Sequence, residues 1–115
     1  MNILSDIQTA LASLGIPIET GVLKSKAADA YIVVVPLTDT FKLHADNLPE
    51  ADVQEARMSL FTKGPYTELK DRVISLLLQN DFTITFRQYN GYETDTGWHH
   101  YVVDAAKPYL YELEE

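Results

Sequence analysis

The chain contains no cysteine in its 115 residues. Disulfides and thiolate chemistry are therefore excluded, and the absence fits a reducing compartment. No Pro/Gly/Ser-rich stretch offers itself as a linker. A single domain spanning residues 1–115 with one modest core is expected. No apolar run approaches the length of a membrane span, so no membrane partner is expected. The opening "MNILSDIQTALASLG" lacks the basic start of a signal peptide, and its apolar residues are periodic. A basic excess is also missing. Nine Lys and Arg face seventeen Asp and Glu, for a net charge of −8. Such a chain has no counterion-release drive onto phosphates, and no sequence-specific nucleic-acid partner is expected. There is no G-x-S-x-G elbow, Gly-rich phosphate loop or paired-carboxylate motif.

What is present reads as α+β, an antiparallel or mixed sheet with two helices on one face, in the order α-β-β(-β)-α-β-β. Ile3, Leu4, Ile7, Leu11 and Leu14 recur at helical spacing. Asn2 or Ser5 caps that helix, Gly15 ends it in a left-handed turn, and Pro17 prevents continuation. "YIVVVPL" (31–37) is β-branched and apolar on both faces, as in a central strand. "FKLHA" (41–45) alternates, "LPEAD" (48–52) reads as a turn or exposed loop, and "VQEARMSLF" (53–61) alternates again with Ala56, Met58 and Leu60 on one side. Gly64-Pro65 opens a second helix bearing Tyr66, Leu69, Val73, Leu76 and Leu77 on one face. Ile74 and Leu78 widen its apolar arc, so it is expected to be more buried than the first helix. "FTITFRQY" (82–89), with Phe82, Ile84 and Phe86 inward, pairs with "WHHYVVDAA" (98–106) as a hairpin. The tail from Lys107 is expected to be extended and partly exposed. The expected core is Leu11, Leu14, Val33, Val35, Leu60, Val73, Leu77, Ile84 and Val102.

The chemistry concentrates in "NGYETDTGWHHYVVD" (90–104). His99 and His100 are adjacent, so on a strand they face opposite sides and cannot easily share one metal ion. The helical spacing of zinc-binding histidines is absent. No nucleophile or electrophile stabiliser accompanies either imidazole. No catalytic residue, cofactor or metal is therefore assigned, and no enzymatic activity is expected. The remaining reading is a hairpin whose loop touches a partner, through Tyr89, Asn90, Tyr92, Glu93 and Trp98. The competing reading packs these aromatics on the domain's own sheet.

Three elements of the chain, "Y-x-V-x-x-P-L-x-D" (31–39), "SLFTKG" (59–64) and "DFTITFRQYNGYETDTGWHHY" (81–101), carry a resemblance. The chain resembles small virion proteins of phages and prophages, in the head–tail joining and tail completion (tail terminator-like) group. The likeness spans nearly the whole chain and rests on texture rather than on a chemical motif. It implies a structural subunit that self-associates into a ring joining tail to head. Its partners would be the tail tube and head connector proteins. Its place would be the virion, after assembly in the host cytoplasm. A small acidic inhibitor or DNA mimic binding a basic protein is the alternative. Its acids are scattered, however, with only "ELEE" clustered. A small enzyme using His99 or His100 ranks last.

Overall fold

A computed structural model describes residues 2–21, 29–45 and 48–110. The fold is α+β. Helix α1 (Ile3–Leu11) runs into a 3-10 turn (Ala12–Leu14), followed by strands β1 (Ile18–Thr20), β2 (Ala30–Ala45) and β3 (Leu48–Thr62). Helix α2 (Tyr66–Gln79) precedes β4 (Thr83–Tyr92) and β5 (His99–Leu110). The five strands form one sheet in the order β1-β2-β3-β5-β4. β1 lies parallel to β2, and every other pair is antiparallel, so the sheet is mixed.

The helix ends follow from local chemistry. The Asn2 side chain accepts a hydrogen bond from Ser5 N at 2.8 Å, satisfying a donor that the first turn leaves free. Gly15 takes φ 70° after the 3-10 turn, a conformation costly for a residue with a Cβ. Asn80 and Asp81 stop α2. The Asn80 side chain donates to Leu76 O at 2.8 Å, and Asp81 adopts φ 66°. Lys107 Nζ then donates to Asn80 O at 3.0 Å, pinning the helix end to β5.

Both helices lie on one face of the sheet. Ile7 and Leu11 of α1 and Val73 and Leu77 of α2 meet Ile32, Val34, Met58, Leu60 and Val103 in the core. All nine are fully buried, and each such side chain contributes roughly 1.5–3 kcal/mol of transfer free energy. Register keeps the set in phase, because Ile32 opposes Leu60, Val34 opposes Met58, and Met58 opposes Val103. At the far end Tyr109 donates from its hydroxyl to Asp6 Oδ2 at 2.6 Å, which ties β5 to α1.

Several expectations are corrected. Residues 48–52 are strand rather than loop, and the segments at 31–37 and 41–45 fuse into the single strand β2. The fused strand is interrupted only by a bulge at Leu37, between Pro36 and Thr38. Val33 and Val35 are half-buried on the helix-free face, whereas Ile32 and Val34 enter the core. Phe86 is exposed, because an extra residue at Thr85 shifts the β4 register between Ile84 and Phe86. One extra residue turns every following side chain to the other face. Ile84 is therefore half-buried against the core while Phe86 opposes Asp104 outside it.

Leu78 is 55% exposed, and α2 buries fewer positions than α1 does. α1 crosses β2 and β3 inside the sheet, while α2 reaches over the outer strand β4 and so turns one flank to solvent. The segment from Lys107 to Leu110 continues β5 and buries Tyr109. The rest of that tail lies outside the described residues. The short strand β1 had no counterpart among the expected strands.

Candidate partner-contact site

The β4–β5 hairpin closes tightly. Glu93 N donates to Trp98 O and Gly97 N donates to Glu93 O, each at 2.8 Å. The Thr96 hydroxyl donates to Glu93 Oε1 at 2.6 Å. Gly97 needs φ 80° to complete the turn. Just before it, Asn90 is an extra residue between Tyr89, which opposes Tyr101, and Gly91, which opposes His100. The bulge ends one run of alternation and starts another in the opposite phase. The loop expected over 88–98 is thus largely strand, and only residues 93–98 form the turn.

The two histidines part company across the sheet. His99 faces the helices. Its Nδ1 lies 2.9 Å from the Tyr89 hydroxyl, and its ring packs 4.6 Å from Tyr92 and 5.5 Å from Tyr66. Tyr66 itself packs 4.6 Å from Tyr89, so the N-terminus of α2 rests on an aromatic cluster. His100 faces the helix-free side and stacks on Phe61, with centroids 4.4 Å apart and planes 13° apart. Phe61 stacks in turn on Tyr31 at 4.7 Å, and Trp98 meets Tyr31 edge-on at 5.2 Å. Lys63 Nζ stands 5.0 Å above the indole. Among the described residues, no group of three or more His, Asp or Glu side chains could hold a metal ion.

The rings on the helix-free face border a cavity of about 210 Å³. Phe61, Asn90, Tyr92, Glu93, Trp98 and His100 line it. Four of the five residues singled out from sequence, Asn90, Tyr92, Glu93 and Trp98, therefore meet at one place. The fifth, Tyr89, sits on the helix face with Tyr66 and His99. Phe61 and Tyr31 escaped the sequence reading. They lie on strands distant in the chain, and only the register that aligns Tyr31, Phe61 and His100 in one row joins them.

The electrostatics of the cavity are specific. His100 Nε2 is shielded from solvent and has no hydrogen-bond partner among the described residues. Burial lowers the His100 pKa, and the Glu93 carboxylate opposes that shift in part. The imidazole is accordingly neutral near pH 7. Burial raises the Tyr31 pKa, and Glu93 raises it further. The site therefore presents aromatic walls and one carboxylate, with an unsatisfied ring nitrogen shielded behind them.

A second feature lies farther along the same face. Arg57 Nε and Nη2 donate to the two oxygens of Asp104 at 2.8 and 2.9 Å, and the guanidinium carbon lies 5.8 Å from the Phe86 ring. Beyond it, a trough of about 360 Å³ is bordered by Thr38, Thr40, Lys42, Glu55, Thr83 and Thr85. Thr85 donates its hydroxyl to the Glu55 carboxylate there.

No family model matches the chain, and no curated protein matches it significantly.

Proposed function

We propose that the chain is a structural subunit of a phage or prophage particle, self-associating head to tail into a ring that joins tail to head. The reading rests on the sequence resemblance. It is supported by one structural observation, the segregation of unlike docking surfaces on one small body. Both helices cover one sheet face, while the other presents Tyr31, Phe61, Trp98, Arg57 and Phe86 with no helix over it among the described residues. The two strand edges are also distinct. β4 is an edge along its length, and β2 has no outer partner among the described residues beyond Val34. A ring contact needs two different complementary surfaces on each chain, and free edges and bare faces are where chains add to one another. The body is elongated, 56 × 24 × 23 Å, and the β2–β3 pair runs past Ala51, the last β5 partner among the described residues. Such a pair can reach beyond its own subunit.

The DNA-mimic alternative is less well served. Several carboxylates are engaged internally: Asp104 with Arg57, Asp6 with Tyr109, Glu93 with Thr96, and Glu55 with Thr85. Carboxylates held this way do not form a free phosphate-like row.

The test is deletion of the gene from the strain that carries it, followed by induction and electron microscopy. Filled heads and separate tails that fail to join, with joining restored by the gene in trans, are expected. Normal particles from the deletion strain would overturn the proposal.

A further inference from the structure

The cavity beside the β4–β5 turn offers features that a cation would satisfy together. Phe61, Trp98 and His100 line it. The Phe61 faces are taken up by His100 and Tyr31, so Trp98 is the ring left to attract a cation through its quadrupole. The indole already carries one ammonium, that of Lys63, at 5.0 Å. Lys63 does not line the cavity itself. Glu93 stands at the rim with Oε1 engaged by Thr96, which fixes the carboxylate and leaves Oε2 with no protein donor among the described residues. His100 Nε2 is enclosed and unsatisfied.

A planar cation that stacks on the indole and donates to the Glu93 carboxylate suits the cavity. Guanidinium is that group. Ammonium is compact and strongly hydrated and lacks the flat face. A carboxylate or phosphate would meet Glu93 as a like charge.

The chain carries guanidinium groups in suitable places. Arg57 is held by Asp104. Arg72 on α2 and Arg87 on β4 are exposed and have no partner among the described residues. Arg72 is borne by the helix layer, and Arg87 opposes the core residue Val103 on the helix side of an edge strand. The cavity opens on the opposite face. A chain with its socket on one face and its plugs on the other cannot fill its own socket, but it can fill a neighbour's.

We infer that the cavity formed by Phe61, Glu93, Trp98 and His100 receives an arginine side chain, Arg72 or Arg87, from a second copy of the chain. This deepens the ring proposal and rests on it for the identity of the neighbour.

Trp98 is the chain's one tryptophan, so its fluorescence reports the site directly. Nα-acetyl-arginine amide, titrated into the purified chain at constant ionic strength, should change that fluorescence saturably. Glu93→Gln keeps the Thr96 hydrogen bond and should weaken the response about tenfold or more, and the lysine analogue should bind less tightly. A missing response, or one unchanged in Glu93→Gln, would overturn the inference.

Sedimentation velocity identifies the source of the arginine. Wild-type chain should associate, whereas Glu93→Gln and one of Arg72→Ala or Arg87→Ala should not. Mixing the Glu93→Gln chain with that arginine variant should restore a single contact and give dimers that grow no further. Association unaffected by both arginine substitutions, or a chain that stays monomeric at about millimolar concentration, would overturn the second-copy assignment. These outcomes are separable from the fate of the ring proposal. Particles that join normally without the gene would remove the neck role and leave the fluorescence result standing. A joining role with an unresponsive Trp98 would remove only the arginine socket.

Discussion

Arg57 grips Asp104 through two parallel hydrogen bonds, at 2.8 and 2.9 Å, across the β3–β5 pair on the sheet face that bears no helix. The partners are unequally buried: the Asp104 side chain is 6% exposed and the Arg57 side chain 40%. Removing the arginine leaves a shielded carboxylate without its donor, which costs more than the pair itself contributes. Arg57→Ala should therefore destabilise the fold by about 1–3 kcal/mol, an amount reduced by the arginine's exposure. Arg57→Ala combined with Asp104→Ala should recover part of that loss. Urea unfolding of the single and double variants checks this, and strict additivity would show that the two groups do not act as a pair.

Adjacent leucines on α2 should differ sharply. Leu77 is fully buried, and Leu78 is 55% exposed. Leu77→Ala should cost about 2–5 kcal/mol, as other buried leucine truncations do. Leu78→Ala should stay within about 0.5 kcal/mol. Equal losses would mean that the helix is rotated from the orientation described.

The contrast between those leucines also shows what could be read from sequence. The spacing of Val73 and Leu77 gave the buried face of α2. Leu78 looked equivalent because nothing in the sequence says how far the neighbouring strands extend beneath the helix. In β3, Ala56, Met58 and Leu60 alternate with Glu55, Arg57 and Ser59, so the inner face was legible. In β2, Ile32, Val33, Val34 and Val35 are all apolar, and the sequence carries no phase. Pairing with β3 decides which of them enter the core. The bulges at Leu37, Thr85 and Asn90 fall on ordinary residues, yet each reverses the faces that follow. For the site, the turn residues and aromatics near residue 90 were legible, because turn chemistry and composition are local. Phe61 and Tyr31 were not, because only cross-strand register brings them to the hairpin.

His100 should leave a mark on acid stability. Its pKa is lowered, chiefly by burial. The unfolded chain therefore takes up a proton near the ordinary value of 6.5 that the folded chain resists. The resulting contribution is whole above that pH and shrinks as pH falls through it toward the lowered folded value. His100→Phe keeps a ring against Phe61 and removes the titration. The difference in unfolding midpoint between about pH 7.5 and about pH 5.5 should be smaller in the variant than in the parent. An identical difference would show that His100 is not shielded.

Tyr109 acts at the other end of the pH scale. Burial first, then the hydrogen bond to Asp6, push its phenol well above the ordinary value of 10.0. Deprotonation is thus easier in the unfolded chain. The stability this phenol lends is complete below about pH 10 and is lost as pH rises toward the folded value. In a spectrophotometric titration, Tyr109→Phe should remove one late-ionising phenol. Loss of the bond to a charged acceptor should also cost about 1.5–3 kcal/mol at neutral pH. A variant that leaves the alkaline limb of the titration unchanged would place Tyr109 in solvent.

Tyr92 and Trp98 both line the cavity, but their surroundings differ. Tyr92 is 52% exposed, and its ring packs on that of His99. Trp98 is half-buried, meets Tyr31 edge-on and lies beneath Lys63. An aromatic pair of this kind contributes about 0.5–1.5 kcal/mol beyond its buried area, so truncating Trp98 removes packing as well as surface. Tyr92→Ala should change stability by less than about 1 kcal/mol, whereas Trp98→Ala should cost about 1–3 kcal/mol. Both should weaken self-association, by roughly 2 kcal/mol or more if they are anchors at the centre of a contact. Chemical denaturation and sedimentation, run on the same preparations, separate the two effects. Tyr92→Ala is the decisive variant, because its fold should survive. A stable Tyr92→Ala chain that associates like the parent would remove this residue from the contact, and severe unfolding would make it part of the core instead.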